Sequence, residues 1–239
     1  MASETVENYL KAIYALCEES PAGEATMTRL AASLGVTTGT ATSMVKKLNA
    51  GKLARYHRYG GVTLTDKGRR TALDVLRRHR LIETFLVEAL RLDWAEVHEE
   101  AERLEHAVSS RLLDAIDTFL GHPATDPHGD PIPSRSGQLP RAGSLPLAGL
   151  AAGTSAVVSR IGNQDKAFLG FVAAHGLRPG STLRVLASDP AAQSMQVESR
   201  GCEPVWIAFP VAARIFAEPA PSPSPQASTT VKRRQPPVR

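Results

Sequence analysis

The 239-residue chain is nearly empty of cysteine. Cys17 and Cys202 stand far apart with no second thiol near either, which excludes a disulfide framework and any CxxC redox or zinc motif. Both are expected to be buried structural thiols. Aromatic residues are also scarce, at 5%. No uninterrupted apolar run approaches the roughly 18–20 residues of a membrane span, and the opening MASETVENYL lacks the basic-then-apolar pattern of a secretory leader, so a cytoplasmic protein without a membrane partner is expected. HExxH, Glu-x-x-His, the nucleophile elbow, the P-loop and GxGxxG are all missing. Their absence argues against zincin, di-iron oxidase, hydrolase, nucleotide and dinucleotide chemistry. The expectation is a protein that is not an enzyme and has no small-molecule substrate. What is present, 42% hydrophobic and 22% charged residues, is the composition of a folded globular chain.

The net charge of +4 conceals a strong polarity along the sequence. Residues 42–80 carry eleven lysines and arginines against Asp66 and Asp74, whereas residues 82–117 carry ten acids against Arg91, Arg103 and Arg111. The first segment suits a polyanion and the second a cation.

Apolar residues at Val6, Leu10, Ile13, Tyr14 and Cys17 predict an amphipathic helix over 4–19, ended by Pro21-Ala22-Gly23. Thr28 is the expected cap of a short helix ending at Gly35, and Thr37-Thr38-Gly39 opens another that Gly51 closes. Two helices around a tight Gly-containing turn, followed by LARYHRY and VTLT on either side of Gly60-Gly61, read as a winged helix-turn-helix. A long helix is predicted from Lys67 to about Leu92. A second, capped by Asp93, is predicted from Ala95 to about Leu120, with Val97, Ala101, Leu104, Val108, Leu112 and Ala115 as a core or dimer seam. Residues 121–149 are rich in Pro and Gly. The runs TSAVVSRI, STLRVLAS, SMQVES and PVWIAF suggest a small antiparallel barrel. The fold class expected is mainly α with small β parts. Residues 1–70 form the winged DNA-binding domain, 71–140 a helical metal-binding and dimerisation domain, 141–150 a linker, 151–217 an SH3-like barrel, and 218–239 a disordered, Pro-rich basic tail.

On the acidic helix His98, Glu102, Glu105 and His106 fall at 0, +4, +7 and +8, one narrow arc at about 3.6 residues per turn. His79 and Glu83 form an i, i+4 pair on the preceding helix, and antiparallel neighbours would bring the two sets together. Imidazoles and carboxylates so spaced suit Mn²⁺, Fe²⁺, Zn²⁺, Co²⁺ or Ni²⁺. The bland alternative is a solvated acidic face.

The order ENYLKAIYAL, winged helix, RRHRLIETFL, VHEEAERLEH, HGDPIP and a β-barrel resembles the metal-dependent repressors of the diphtheria-toxin-repressor and manganese-transport-regulator family over about residues 4–217. The joint pattern H-R-L-x-E then H-x-x-x-E-x-x-E-H is the specific part. The resemblance implies a homodimeric repressor activated by Mn²⁺ or Fe²⁺, with other divalent metals binding in vitro, acting on double-stranded operator DNA of metal-uptake genes, with a FeoA-type third domain. It implies a primary metal site at Glu102, Glu105, His106 and Asn8, and an ancillary site at His79, Glu83 and His98. Asp165 lies where the third domain supplies a carboxylate, and Asp126 and His128 resemble a linker pair of streptococcal-type members. Three departures stand out. Glu102 replaces the cysteine of the iron-sensing branch, which favours Mn²⁺; Asn8 replaces Met or Asp, with Glu7 adjacent; and Lys11 replaces a second carboxylate.

For DNA, Thr37, Thr38, Thr40 and Ser43 sit early in the recognition helix, while Lys46, Lys47, Arg55, Arg58 and Tyr59 are expected to contact mainly phosphates. A metal-independent winged-helix regulator and a metalloenzyme or metal-storage protein are the rival readings.

Overall fold

The computed structural model describes residues 3–57, 60–140 and 143–220. Arg58, Tyr59 and tail residues 221–239 lie outside the described residues. No helix among the described residues is long and apolar enough to cross a membrane.

The first helix, α1 (Glu4–Glu19), buries Tyr9, Leu10, Ile13, Tyr14 and Leu16. These pack with residues of α2 (Met27–Ser33) and α3 (Thr38–Ala50) in one core. The cap of α2 is Thr26, not Thr28: Thr26 holds the extended backbone a cap requires and its hydroxyl accepts from the Arg29 N–H. Thr37 caps α3 as the sequence predicts, accepting from the Thr40 N–H. The wing is β1 (Ala54–Tyr56) paired antiparallel with β2 (Val62–Leu64).

The long α4 (Asp66–Glu88) starts at the Thr65 cap. A Cβ on Gly68 would stand 1.9 Å from the Leu53 carbonyl oxygen, so glycine is what lets this helix close on the wing. α4 ends earlier than predicted because Arg91 adopts a left-handed φ of 60° and the Leu92 N–H returns to the Leu86 carbonyl. The predicted helix from Ala95 to Leu120 is two helices, α5 (Val97–Leu104) and α6 (Ser110–Phe119). Asp93 turns back on the Ala95 N–H and delays the start, and Ser109, extended, caps α6 through the Leu112 N–H. The seam is therefore interrupted: Val97 and Ala101 are buried, while Leu104 and Leu112 are exposed. Arg77 of α4 joins α6 by a buried pair with Asp117 at 2.7 Å.

The C-terminal unit is a six-stranded antiparallel sheet in the order β3-β8-β4-β5-β6-β7, with strands Leu145–Pro146, Ser155–Ile161, Thr182–Asp189, Ser194–Ser199, Val205–Ala208 and Ile215–Pro219 numbered β3 to β8 along the chain. Bulges at Val158/Arg160 and Val185/Ala187 bend it into its SH3-like shape. Residues 145–150 are not a linker, since β3 pairs with β8 and Leu147 is fully buried in this core. A further helix, α7 (Lys166–Ala174), carries no sequence signal because KAFLGFVAA shows little helical periodicity. The expected burial of the thiols is partial: Cys17 and Cys202 are free and half-buried.

Trp94, from the segment before α5, inserts into the β-domain core. The turn at Gly129 completes the junction: it has φ +85°, and a Cβ there would stand 2.0 Å from the Ser159 carbonyl oxygen. The His128 carbonyl accepts from the Ile161 N–H at 2.8 Å.

Candidate metal centre

Burial of α4 against α5 carries His79 and Glu83, one turn apart, into the interior opposite His98. Glu83 is fully buried. Its Oε1 lies 3.0 Å from His79 Nε2 and 3.1 Å from His98 Nδ1, and the two ring nitrogens are 3.1 Å apart. Such spacing is close to the edge of an octahedron with bonds of about 2.1–2.2 Å. Its second oxygen faces the connecting segment. There Asp126 and His128 are buried, and Glu83 Oε2 stands 3.7 Å from His128 Nδ1, too far for a hydrogen bond. Glu83 Oε2, Asp126 Oδ2 and His128 Nδ1 are all buried without a hydrogen-bond partner. Among the described residues, two donor triads, His79 with Glu83 and His98, and Glu83 with Asp126 and His128, each bring their ligand atoms within 4.8 Å of one another.

Orphaned buried carboxylate and imidazole atoms cost free energy unless something satisfies them. Two carboxylate oxygens and an imidazole nitrogen that converge without partners are the chemistry of a divalent cation site, so the residues present fit a metal.

The remaining polar atoms fix the site's shape. His128 Nε2 donates to the Trp94 carbonyl at 2.8 Å, and its ring stacks on the Trp94 indole. That contact fixes the tautomer and leaves Nδ1 to face Glu83. Asp126 Oδ1 accepts from the N–H groups of His128 and Asp130, while Arg80 approaches Oδ2 at 3.6 Å.

The electrostatics of the donor set follow from burial and from the charges packed around it. Burial alone would raise the Glu83 carboxyl, but His128, His79 and His98 around it hold it well below the usual carboxylate range. Burial likewise disfavours the charged His79 ring, yet its contacts with Glu105 and Glu83 outweigh that and push its pKa up to about 9. Asp126, buried and near Asp130 and Glu83, is pushed up to about 7 despite Arg80. His128 is raised by Glu83 and Asp126 against the opposing effect of burial. Protons therefore compete for part of the donor set.

The second predicted set lies toward α1. The break after α5 turns Glu105 and His106 inward: Glu105 Oε2 meets His79 Nδ1 at 2.6 Å, and His106 lies between Glu7 Oε2 at 2.7 Å and Asn8 Oδ1 at 2.8 Å. Burial would raise the Glu105 carboxyl, but His79 and Lys11 lower it on balance. Glu102 stands at the solvent edge of this set. It is half-exposed, with Lys11 at 3.7 Å and His98 at 3.6 Å. Asp165 caps α7 through the Phe168 N–H and lies, with His98, on the wall of a cleft of about 650 Å³. Lys11, Arg80 and Trp94 were outside the predicted ligand set, although the sequence places Lys11 three residues beyond Asn8, on the same face of α1.

Thr37, Thr38, Thr40, Ser43, Lys46, Lys47 and Arg55 are all exposed on the helix-turn-helix and wing. Three of the hydroxyls already serve the helix, since Thr37 and Thr40 bond each other at 2.9 Å and Ser43 donates to the Gly39 carbonyl.

Comparison with known proteins yields three family models along the chain. Residues 1–62 match the iron dependent repressor N-terminal DNA binding domain, residues 65–134 its metal binding and dimerisation domain, and residues 145–219 the FeoA domain. The iron-dependent repressor IdeR of Mycobacterium tuberculosis (strain ATCC 25618 / H37Rv) is 38% identical over 130 residues, covering 54% of this chain and 56% of that protein. The match thus spans little more than half the length of that curated relative. The regulator MntR of Bacillus subtilis (strain 168) is 33% identical over 120 residues, covering 50% of this chain and 82% of that protein. Among solved structures, a manganese-dependent transcriptional repressor in complex with manganese is 40% identical with a TM-score of 0.83, covering 90% of this chain and all of the other. ScaR with bound Cd²⁺ is 33% identical with a TM-score of 0.77, covering 89% and 98%.

Proposed function

The chain belongs to the iron-dependent repressor family, and on that premise we propose that it is a homodimeric DNA-binding regulator whose affinity for its operator is set by a divalent metal, Mn²⁺ before Fe²⁺. The observation that carries this reading is the buried, partnerless trio Glu83 Oε2, Asp126 Oδ2 and His128 Nδ1 beside His79 and His98. The donors are all carboxylate oxygens and imidazole nitrogens, a set without thiolate that suits Mn²⁺.

When bound, a metal supplies positive charge that several buried donors can share. His79 and Glu83 stand on α4 and His98 on α5, so these three hold the helices together. Asp126 and His128 place the connecting segment, and through the His128 carbonyl the β-domain. Glu105 and His106 face α1, where Lys11 meets the first and Glu7 and Asn8 the second. Because α1 shares a core with α2 and α3, restraining α1 restrains the recognition helix. In a dimer the separation of two recognition helices must match half-sites about 34 Å apart per turn of DNA, so ordering them before contact lowers the cost of binding. The second copy is assigned to α6, where Leu112 and Phe119 are 51% and 70% exposed. Thr38, Thr40 and Ser43 face the major groove in this reading, and Lys46, Lys47 and Arg55 the phosphates.

The test is anaerobic fluorescence anisotropy on duplexes selected from a random pool with Mn²⁺ present, titrated with and without Mn²⁺, Fe²⁺ and Zn²⁺. Tightening by Mn²⁺ of roughly tenfold or more, lost in Glu83→Gln, is expected, in line with coupling of 1–3 kcal/mol between sites. Equal affinity with and without every metal refutes the reading in favour of a metal-independent regulator.

A further inference from the structure

We propose that Lys11 is a built-in cation that ties α1 to the turn after α5 in the metal-free chain, and that a divalent ion entering among Glu102, Glu105 and His106 must displace it. The inference rests on the metal-controlled reading above and concerns what this chain has in place of a further metal-binding carboxylate.

Lys11 Nζ lies 2.6 Å from Glu105 Oε1 and 3.7 Å from Glu102 Oε1. Its side chain is only 19% exposed and that of Glu105 is wholly buried. A buried carboxylate needs a counter-charge, and Glu105 has Lys11 on one oxygen and His79 on the other. The ammonium thus sits where a metal shared by Glu102 and Glu105 would place its own charge. Glu7 and Asn8 of α1 also hold His106 there.

The donor set around Glu83 is different. Among the described residues no lysine pairs with it, and Arg80, at 3.6 Å from Asp126 Oδ2, is spent on the Pro131 carbonyl and Asp130. Two places for a cation therefore differ in kind. The Glu83 set has orphaned atoms and no ammonium to expel, and fills first; the Glu105 set holds the Lys11 ammonium and fills later and more weakly. The consequence is a sensor whose α1 contact exists before metal arrives and is exchanged, not created, at the second step.

Two measurements on the full chain test this. Calorimetric titration with Mn²⁺ is expected to show a tight and a weak class of site in the wild type, and Lys11→Met, similar in length but uncharged, to tighten only the weak class by roughly tenfold, the direction that removing a like charge a few ångströms away requires. Superimposable isotherms would overturn the proposal. Independently of any variant, acetylation of lysines by acetic anhydride, mapped by mass spectrometry, should label Lys11 several-fold faster in saturating Mn²⁺ than in chelator, relative to Lys46. A rate that is unchanged or slower with metal overturns it. Normal Mn²⁺ binding with Lys11 unmoved removes this inference alone, whereas no Mn²⁺ binding at all removes the metal reading with it.

Discussion

Raising the pH from 6.5 to 9 should destabilise the metal-free protein, and His79 sets the size of the effect. Its pKa is pushed from 6.5 up to about 9 in the fold, by Glu105 and Glu83 acting against burial. A raised base stabilises the fold fully below its unfolded pKa and loses that contribution as pH climbs through the folded value. At 1.36 kcal/mol per pKa unit, the loss between pH 6.5 and 9 is roughly 2–3 kcal/mol. His128, also raised, adds in the same direction. Glu83 and Glu105 are lowered, so their contributions hold throughout this window and fall away only in acid. Asp126, raised to about 7, gives up its share between mild acid and neutrality and is nearly exhausted above that. Guanidinium unfolding in chelator, followed by tryptophan fluorescence, to which Trp94 buried between the helical and β domains contributes, should show a midpoint falling by roughly half a molar or more over this range. With saturating Mn²⁺ the slope should flatten or reverse, because the ligating imidazole is the neutral one. A chelated midpoint that stays level or rises with pH would show that His79 is not held charged by its two carboxylates.

Glu83→Gln removes the carboxylate that three imidazoles surround, and is expected to cost about 3–5 kcal/mol without metal and to abolish the Mn²⁺-induced rise in melting temperature; differential scanning fluorimetry reads both. Gly129→Ala places a methyl against the Ser159 carbonyl at a left-handed φ, and should loosen the β-domain, seen as faster limited proteolysis between the helical and β domains at unchanged helical content. Lys47→Ala should weaken DNA binding about equally for every sequence and reduce the slope of log affinity against log salt by about one, a result that anisotropy across a salt series would contradict if the loss were sequence-selective.

Much of this protein follows from local rules. Thr37 and Gly60-Gly61 announce the helix-turn-helix and wing because caps and tight turns depend on a few neighbouring residues. The i, i+4 pair of His79 and Glu83 is legible for the same reason: helical spacing alone puts both on one face. The break between α5 and α6 escapes the periodicity of Val97, Ala101, Leu104 and Val108, since the apolar pattern runs on while Ser109 caps a new helix. Likewise α7 is apolar on nearly every side, so its sequence carries little sign of a helix.

The sequence by itself determined which residue types are available, where charge of each sign gathers along the chain, and which helices and strands those residues favour, because each depends on neighbours within a few positions. Only the tertiary structure decided that Glu83 stands between two groups of donors, that Asp126 and His128 come to it from a segment more than forty residues on, and that Lys11 occupies the carboxylates facing α1. Burial and distance between residues remote in sequence arise from packing. Packing also determines whether a buried charge meets a partner, a proton or an ion.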